Sequence, residues 1–238
     1  MRIRRHVPVL AVAVAATLIA AAQPAAAQTS RPYNAYPNTI KLRAGLFQPN
    51  GDSQYWDQRE FDFTGDEDDF EDTIFGVDYT HMLTERLGVL VSGSYYEGGN
   101  TAAFLDFEDD FGNDIVHDTT LEILSFDLGL VYHLLRRDAT VSPYVGGGIG
   151  FYGYDLEESG DFIDFSNDEI FNGTFDASGN TVGGFFLAGL EVPIGEQFAI
   201  FGEARWDWAS DDLEDDFNDF GEIDLSGGQL VGGIAFRF

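Results

Sequence analysis

The chain has 238 residues, no cysteine, and 42 acidic against 12 basic side chains, a formal net charge of −30. A polypeptide this acidic is repelled by phosphate backbones, which excludes nucleic acid as a partner. Without disulfides, an exported chain of this size must draw its stability from its own hydrogen bonding and packing, or from a membrane.

Taken in chain order, the first element is a basic start (Arg2, Arg4, Arg5), followed by an apolar stretch over 7–22 and the small residues Ala25, Ala26 and Ala27. This pattern predicts a secretory signal peptide over 1–27. A transmembrane anchor is the rival reading, but the apolar run is about 16 residues, short of the roughly 18 to 20 that a spanning helix needs. Residues 28–38 are expected to form a periplasmic N-terminal segment and 39–238 a single barrel domain.

Eight stretches then alternate apolar with small or polar side chains, the period of a β-strand. They cover 39–47, 73–83, 88–96, 121–135, 141–154, 181–194, 198–208 and 225–238. Each is long enough for a tilted membrane-crossing strand of about 9 to 11 residues. The joins at 84–87, 136–140 and 195–197 are short and the other four are long, in strict alternation. Bacterial outer-membrane barrels alternate short periplasmic turns with long extracellular loops. An even strand number would put both termini in the periplasm.

Within the fourth stretch Leu124, Phe126, Leu128, Leu130, Tyr132 and Leu134 share one face, opposite Ser125, Asp127, Gly129 and His133. In the seventh, Phe198, Ile200, Gly202, Ala204, Trp206 and Trp208 oppose Glu203, Arg205 and Asp207. The first sets Ile40, Leu42, Ala44 and Leu46 against Lys41, Arg43 and Gly45. Parity cannot say which face is inside, since a soluble barrel would reverse the two. Composition favours a membrane: aromatics lie on the apolar face, and glycine (Gly146, Gly148, Gly150, Gly183, Gly189) crowds the polar one, as suits a narrow filled lumen. Tyr132, Phe198, Phe236 and Phe238 at one end, with Tyr95, Trp206 and Trp208 at the other, are candidate aromatic girdles.

The last segment, QLVGGIAFRF over 229–238, closes on alternating aromatics with a terminal Phe, and 143–153 reads PYVGGGIGFYG. In these features and in the eight-strand layout the chain resembles the small OmpA/OmpX-type, porin-family outer-membrane β-barrels. The resemblance implies an all-β, eight-stranded antiparallel up-and-down transmembrane barrel, with long acidic extracellular loops, embedded in outer-membrane lipid. It further implies insertion by the outer-membrane assembly machinery, with Gly233, Phe236 and Phe238 as the assembly signal. The family hosts adhesins, small channels, structural anchors and a few enzymes, so the resemblance speaks to fold more than to function.

Of the 42 acids, 33 fall in four segments, 48–72, 97–119, 155–180 and 209–224, where the sole base is Arg59. Twelve of the 22 Phe lie there too. Disordered acidic tails are poor in aromatics, so strands reaching beyond the bilayer around a modest Phe cluster are expected. Two readings of the acidity stay open: salt adaptation, and a surface for divalent cations or an extracellular ligand. Calcium or magnesium prefers several carboxylate oxygens, and Asp68, Asp69, Asp109, Asp110, Asp215 and Asp216 could supply them, but no EF-hand pattern is present. No resident cofactor is expected.

Lys41, Arg43, Asp78, Asp127, Glu203, Arg205 and Asp207 are expected to form a lumenal charge network, either a plug or an ion path. His81 and His133 sit at the wrong depth for outer-leaflet chemistry, and His117 has no serine nucleophile beside it in sequence, so no enzyme is expected. The sequence therefore points to a surface protein with a structural or interaction role, with a narrow pore as the alternative.

Overall fold

The computed structural model describes residues 36–109, 111–167 and 169–238. The expected signal peptide, most of segment 28–38, and Asp110 lie outside them. Ten strands run in chain order: β1 (Asn38–Pro49), β2 (Asp72–Met82), β3 (Leu87–Glu108), β4 (Asp114–His133), β5 (Ser142–Asp164), β6 (Glu169–Pro193), β7 (Phe198–Trp208), β8 (Ser210–Asp212), β9 (Glu222–Asp224) and β10 (Gly227–Arg237). Eight of them close a barrel in the order β1-β10-β7-β6-β5-β4-β3-β2, every pairing antiparallel, and β8 with β9 forms a separate hairpin. Closure is made by β1 on β10, from Thr39 opposite Arg237 to Pro49 opposite Gly227.

The barrel sorts its side chains as a membrane requires. Phe126, Leu128, Leu130 and Tyr132 of β4 are exposed on the outside, while Ser125, Asp127 and His133 are buried inside. Leu230 at 70 %, Val182 at 62 % and Ile200 at 45 % exposure belong to the same outer belt. A soluble barrel would bury these groups, so the exposed apolar belt selects the lipid-facing arrangement. Glycines inside make room for large rings. A Cβ at Gly189 would stand 2.4 Å from the Tyr144 ring, and one at Gly150 would stand 2.5 Å from the Tyr152 hydroxyl.

Four strands are far longer than a bilayer demands: β3 has 22 residues, β4 20, β5 23 and β6 25, against 11 or 12 in the other barrel strands. Much of what reads in sequence as two long loops, 97–119 and 155–180, is therefore a four-stranded sheet projecting from one end of the barrel. At about 3.3 Å per residue the extra ten or so residues carry it roughly 30 Å along the strands. The polarity of the faces inverts where the extension begins. Along β4 the outer face passes from Leu124 to Glu122, Thr120 and Asp118, while the buried face passes from Ser125 to Ile123 and Leu121. Above that level water bathes the outside, and the inside is a conventional apolar core.

The β1–β2 connection supplies a helix, α1 (Gln54–Asp62), that the strand pattern gives no sign of. Ser53 precedes it in an extended conformation, and the helix ends where Phe63 turns extended and donates its N–H to Arg59 O. A 3-10 turn over Glu67–Phe70 follows, begun by a reciprocal cap in which Asp66 accepts from Asp68 N–H and Asp69 accepts from Asp66 N–H. The cap satisfies free donors at the start of the turn and delivers Phe70 to the interior. Tyr55, Trp56 and Phe70 join Phe47, Tyr96, Leu121, Leu156, Phe217 and Leu225 in one core at the mouth of the barrel.

Candidate functional site

The lumen holds four cations, Lys41, Arg43, Arg205 and Arg237, and five carboxylates, Asp78, Asp127, Glu191, Glu203 and Asp207, all buried. β1 places Arg43 so that Nε donates to Asp78 Oδ1 at 3.1 Å, Nη1 to Gln229 Oε1 at 2.8 Å and Nη2 to Ser92 Oγ at 3.2 Å. Ser92 in turn donates to Asp78 at 2.7 Å. Arg205 lies 2.8 Å from both Asp127 and Asp207, with its guanidinium 4.1 Å from the Phe185 ring centroid. Tyr152 and Gln229 both donate to Asp207, at 2.9 and 2.5 Å. Desolvating so many charges is costly unless each finds partners, and here nearly every one does.

Toward the end with the short turns, Glu191 accepts from Arg237 and lies 3.9 Å from Lys41 Nζ, which sits 3.9 Å over the Tyr144 ring. Tyr144 donates to Glu203 at 2.9 Å. Lys41 thus meets Glu191 rather than its register neighbour Asp78. Glu191, Arg237, Gln229, Ser92 and the two tyrosines escape the sequence reading, although parity with Gly189 and Gly233 puts Glu191 and Arg237 on the lumenal face. His133 Nδ1 and Ser142 Oγ are 3.0 Å apart, both buried beneath the turns. His81 Nδ1 lies 2.8 Å from Asn38 Oδ1.

At the other end α1 lies across the mouth. Trp56 Nε1 donates to Asp224 O at 3.1 Å, and Tyr55 donates to Glu158 at 2.9 Å. Arg59 lies 3.9 Å from Glu158 and donates to Asn100. Burial pushes the Glu158 carboxyl above its usual range, against the opposing pull of Arg59. Beneath this cap a cavity of about 10 Å³, lined among others by Phe47, Tyr96, Tyr152 and Asp207, has room for roughly one water molecule.

Beyond the cap the extension carries aromatic residues on its inner face. His117 stacks on Phe162 with centroids 5.3 Å apart and meets Phe63 edge-on at 4.4 Å. Burial, and next the Arg59 charge, lower its pKa to about 4. Phe107 and Phe165, 5.5 Å apart, join the tips of the two hairpins, and Phe111 is 91 % exposed. Asp109 accepts from Phe111 and Asn113 in its own turn. Asp68 accepts from Gln48 and Asp216 from Asp176 N–H. Asp215 has a positive φ of 56°. The carboxylates that could supply cation ligands are thus spread over three separate segments, and among the described residues no group of three or more His, Cys, Asp or Glu is arranged to hold a metal ion.

Gly233 faces the lumen on β10, where a Cβ would stand 1.9 Å from Leu42 O. Phe236 stacks on Phe238 at 5.9 Å and meets Phe198 at 5.1 Å on the lipid face.

A closed eight-stranded barrel with an apolar outer belt, an ion-paired interior and an acidic extension defines a membrane protein that crosses by strands. The chain belongs to the outer membrane protein beta-barrel domain family, which matches residues 12–238, and its place is the cell outer membrane. Among solved structures it is similar to the outer membrane protein OprG from Pseudomonas aeruginosa, at 13 % identity and a TM-score of 0.49, over 85 % of this chain and 97 % of that one. It is also similar to a major outer membrane protein from Thermus thermophilus, at 12 % identity and a TM-score of 0.48, over 84 % and 99 % of the two chains. A third is Ail, the attachment invasion locus protein of Yersinia pestis, at 16 % identity and a TM-score of 0.40, over 84 % and 99 %. No curated protein matches the chain.

Proposed function

We propose that the protein is a sealed outer-membrane barrel that acts as a surface interaction protein through its acidic, Phe-rich extension, with the extension extracellular and the short turns and termini periplasmic. The observation that carries this reading is the double closure of the lumen. Ion pairs fill it around Arg43 and Arg205, and α1 seals its mouth through Trp56. Solvent-facing chemistry is left to the extension, whose outer face is acidic and whose tips expose Phe107, Phe111 and Phe165.

The protein acts without catalysis in this reading, since the His133–Ser142 pair is buried and His117 is packed among rings. Gly233, Phe236 and Phe238 serve the assembly machinery. The acidic loops attract cations diffusely, with no resident cofactor. Planar-bilayer recording on refolded protein, verified as a barrel by its heat-modifiable gel mobility, is expected to show no unitary steps. Steps that change in Arg205→Ala would replace this reading with the narrow pore. Deleting the two long hairpin extensions is expected to abolish surface adhesion while the barrel still folds.

A further inference from the structure

The projecting sheet has two lateral edges, and the chain treats them differently. Along β3 the segment after α1 covers the edge. Thr64 donates its N–H to Ala103 O at 2.8 Å, Ala103 N–H donates to Thr64 Oγ1 at 2.9 Å, and Phe63 bridges Phe104. Along β6 the pairing with β7 stops at Gly184 opposite Trp208. Beyond it, the turn between β8 and β9 reaches the backbone at Asp176, whose N–H donates to Asp216 Oδ2 at 3.2 Å. Further out, over residues 170–175, β6 has β5 on one flank and, among the described residues, no strand on the other.

The Asp176 bond also sets the parity of this edge. Its N–H points away from β5, and β5 pairs with β6 without a register shift from Glu169 to Glu191. In an antiparallel ladder the N–H and C=O of one residue point the same way, and alternate residues point oppositely. Ile170, Asn172 and Thr174 therefore turn their backbone donors and acceptors toward the open side. Exposed edges of this kind template a further strand and are ordinarily protected by Lys, Pro or bulges; residues 169–175, EIFNGTF, contain neither Lys nor Pro.

The two faces beside the edge differ in chemistry. On the inner face Phe171 and Phe175 stand 6.1 and 4.8 Å from Phe162, with Gly173 between them. A Cβ at Gly173 would come within 3.2 to 3.5 Å of all three rings. On the outer face lie Asp161, which accepts from Asn172 at 3.1 Å, and Glu157 opposite Asp176. Residues 155–180 contain eight acids and no Lys or Arg.

We infer that the open β6 edge over residues 170–175 is a docking site for an extended, cationic segment of another protein, added as a further strand. Its alternate apolar side chains lie over Phe171 and Phe175, and its Lys or Arg side chains over Asp161 and Asp176. Main-chain bonds supply affinity and alternate side chains supply specificity in this mode of recognition. Charge selects the occupant: a second copy of this chain would bring like charges together, whereas a basic strand neutralises them. The inference rests on the extension being an interaction surface.

The test uses full-length refolded protein in neutral detergent and a fluorescein-labelled peptide of about ten residues alternating Lys with Val, read by anisotropy. Saturable binding is expected, weakened about tenfold or more both in Thr174→Pro and with the peptide N-methylated at alternate residues. Thr174→Pro removes a donor from the open side and none from the β5 ladder, a position where proline is tolerated; heat-modifiable mobility checks that the variant folds. Equal binding of the N-methylated peptide overturns strand addition, because charge alone would then suffice. Equal binding of a Glu-Val peptide overturns the charge argument, and no saturable binding of Lys-Val overturns the site. Bilayer conductance is scored separately, so failure of the sealed-barrel reading and failure of this one are distinguishable.

Discussion

The indole of Trp56 donates to the backbone carbonyl of Asp224 at 3.1 Å, linking the β1–β2 connection to the β7–β10 connection across the barrel mouth. The ring is fully buried and meets Phe70 edge-on at 5.0 Å. Trp56→Ala removes both the packing and the donor that holds the two connections together, at a cost of about 3–5 kcal/mol to the cap. The barrel below has its own ladder and is expected to stay intact. Limited proteolysis should show new cleavage within 50–71 at unchanged gel mobility; an uncleaved variant would mean that Trp56 does not hold the cap.

Arg205 bridges two buried carboxylates in the lumen, Asp127 and Asp207. Its removal leaves Asp127 and Asp207 facing each other with one shared cation gone, and breaking a buried pair in this way costs about 3–5 kcal/mol. Arg205→Ala is expected to lower the urea midpoint markedly. Adding Asp127→Asn should recover part of the loss, since it removes one orphaned charge.

Gly233 and Phe238 should separate folding from delivery. Gly233→Ala forces a Cβ against the Leu42 carbonyl, which is backbone and cannot rotate away, so about 1–3 kcal/mol is lost even in detergent refolding. Phe238→Ala leaves the ladder intact. It is expected to refold normally in detergent and to reach the membrane poorly in cells, as measured by outer-membrane yield.

His117 makes the extension acid-sensitive. Its folded pKa, about 4, lies below the 6.5 of an ordinary imidazole, so between these values the unfolded segment binds the proton that the folded one refuses. Stability contributed here falls as pH drops from about 6.5 to about 4 and is level below. Glu158, raised by burial, acts oppositely, because its protonation is easier in the folded state. Comparing wild type with His117→Leu isolates the histidine contribution. Protection factors along 115–121, taken relative to the intrinsic exchange rate at each pH, should fall on acidification in the wild type alone.

Much of the barrel was legible in the chain. β7 occupies 198–208, as its alternation indicates, and the faces of β4 sort by parity as written. Strands reaching beyond the bilayer are expected from the Phe content of the acidic segments, but their extent is not, because alternation continues in phase while its meaning inverts. Leu124 faces lipid, yet Glu122 on the same face meets water, so a search for lipid-facing apolar residues stops there. Helix α1 has no sequence signature, because its only large apolar residues besides Phe61 are the adjacent Tyr55 and Trp56, and nine residues show no period. The expected Phe cluster underestimates the cap for the same reason.

By itself the sequence determined the eight barrel strands, the short turns at one end and the concentration of charge in the segments beyond the other, because these follow from local period and composition. Tertiary structure decided which face is inside and which lumenal charges meet. Arg43 reaches Gln229, 186 positions away, because β1 closes on β10, and Lys41 meets Glu191 instead of its neighbour Asp78. Partners inside a barrel are set by closure and stagger, which are properties of the whole ring. The uncovered edge of β6 is likewise a tertiary fact, since it depends on where β7 turns away.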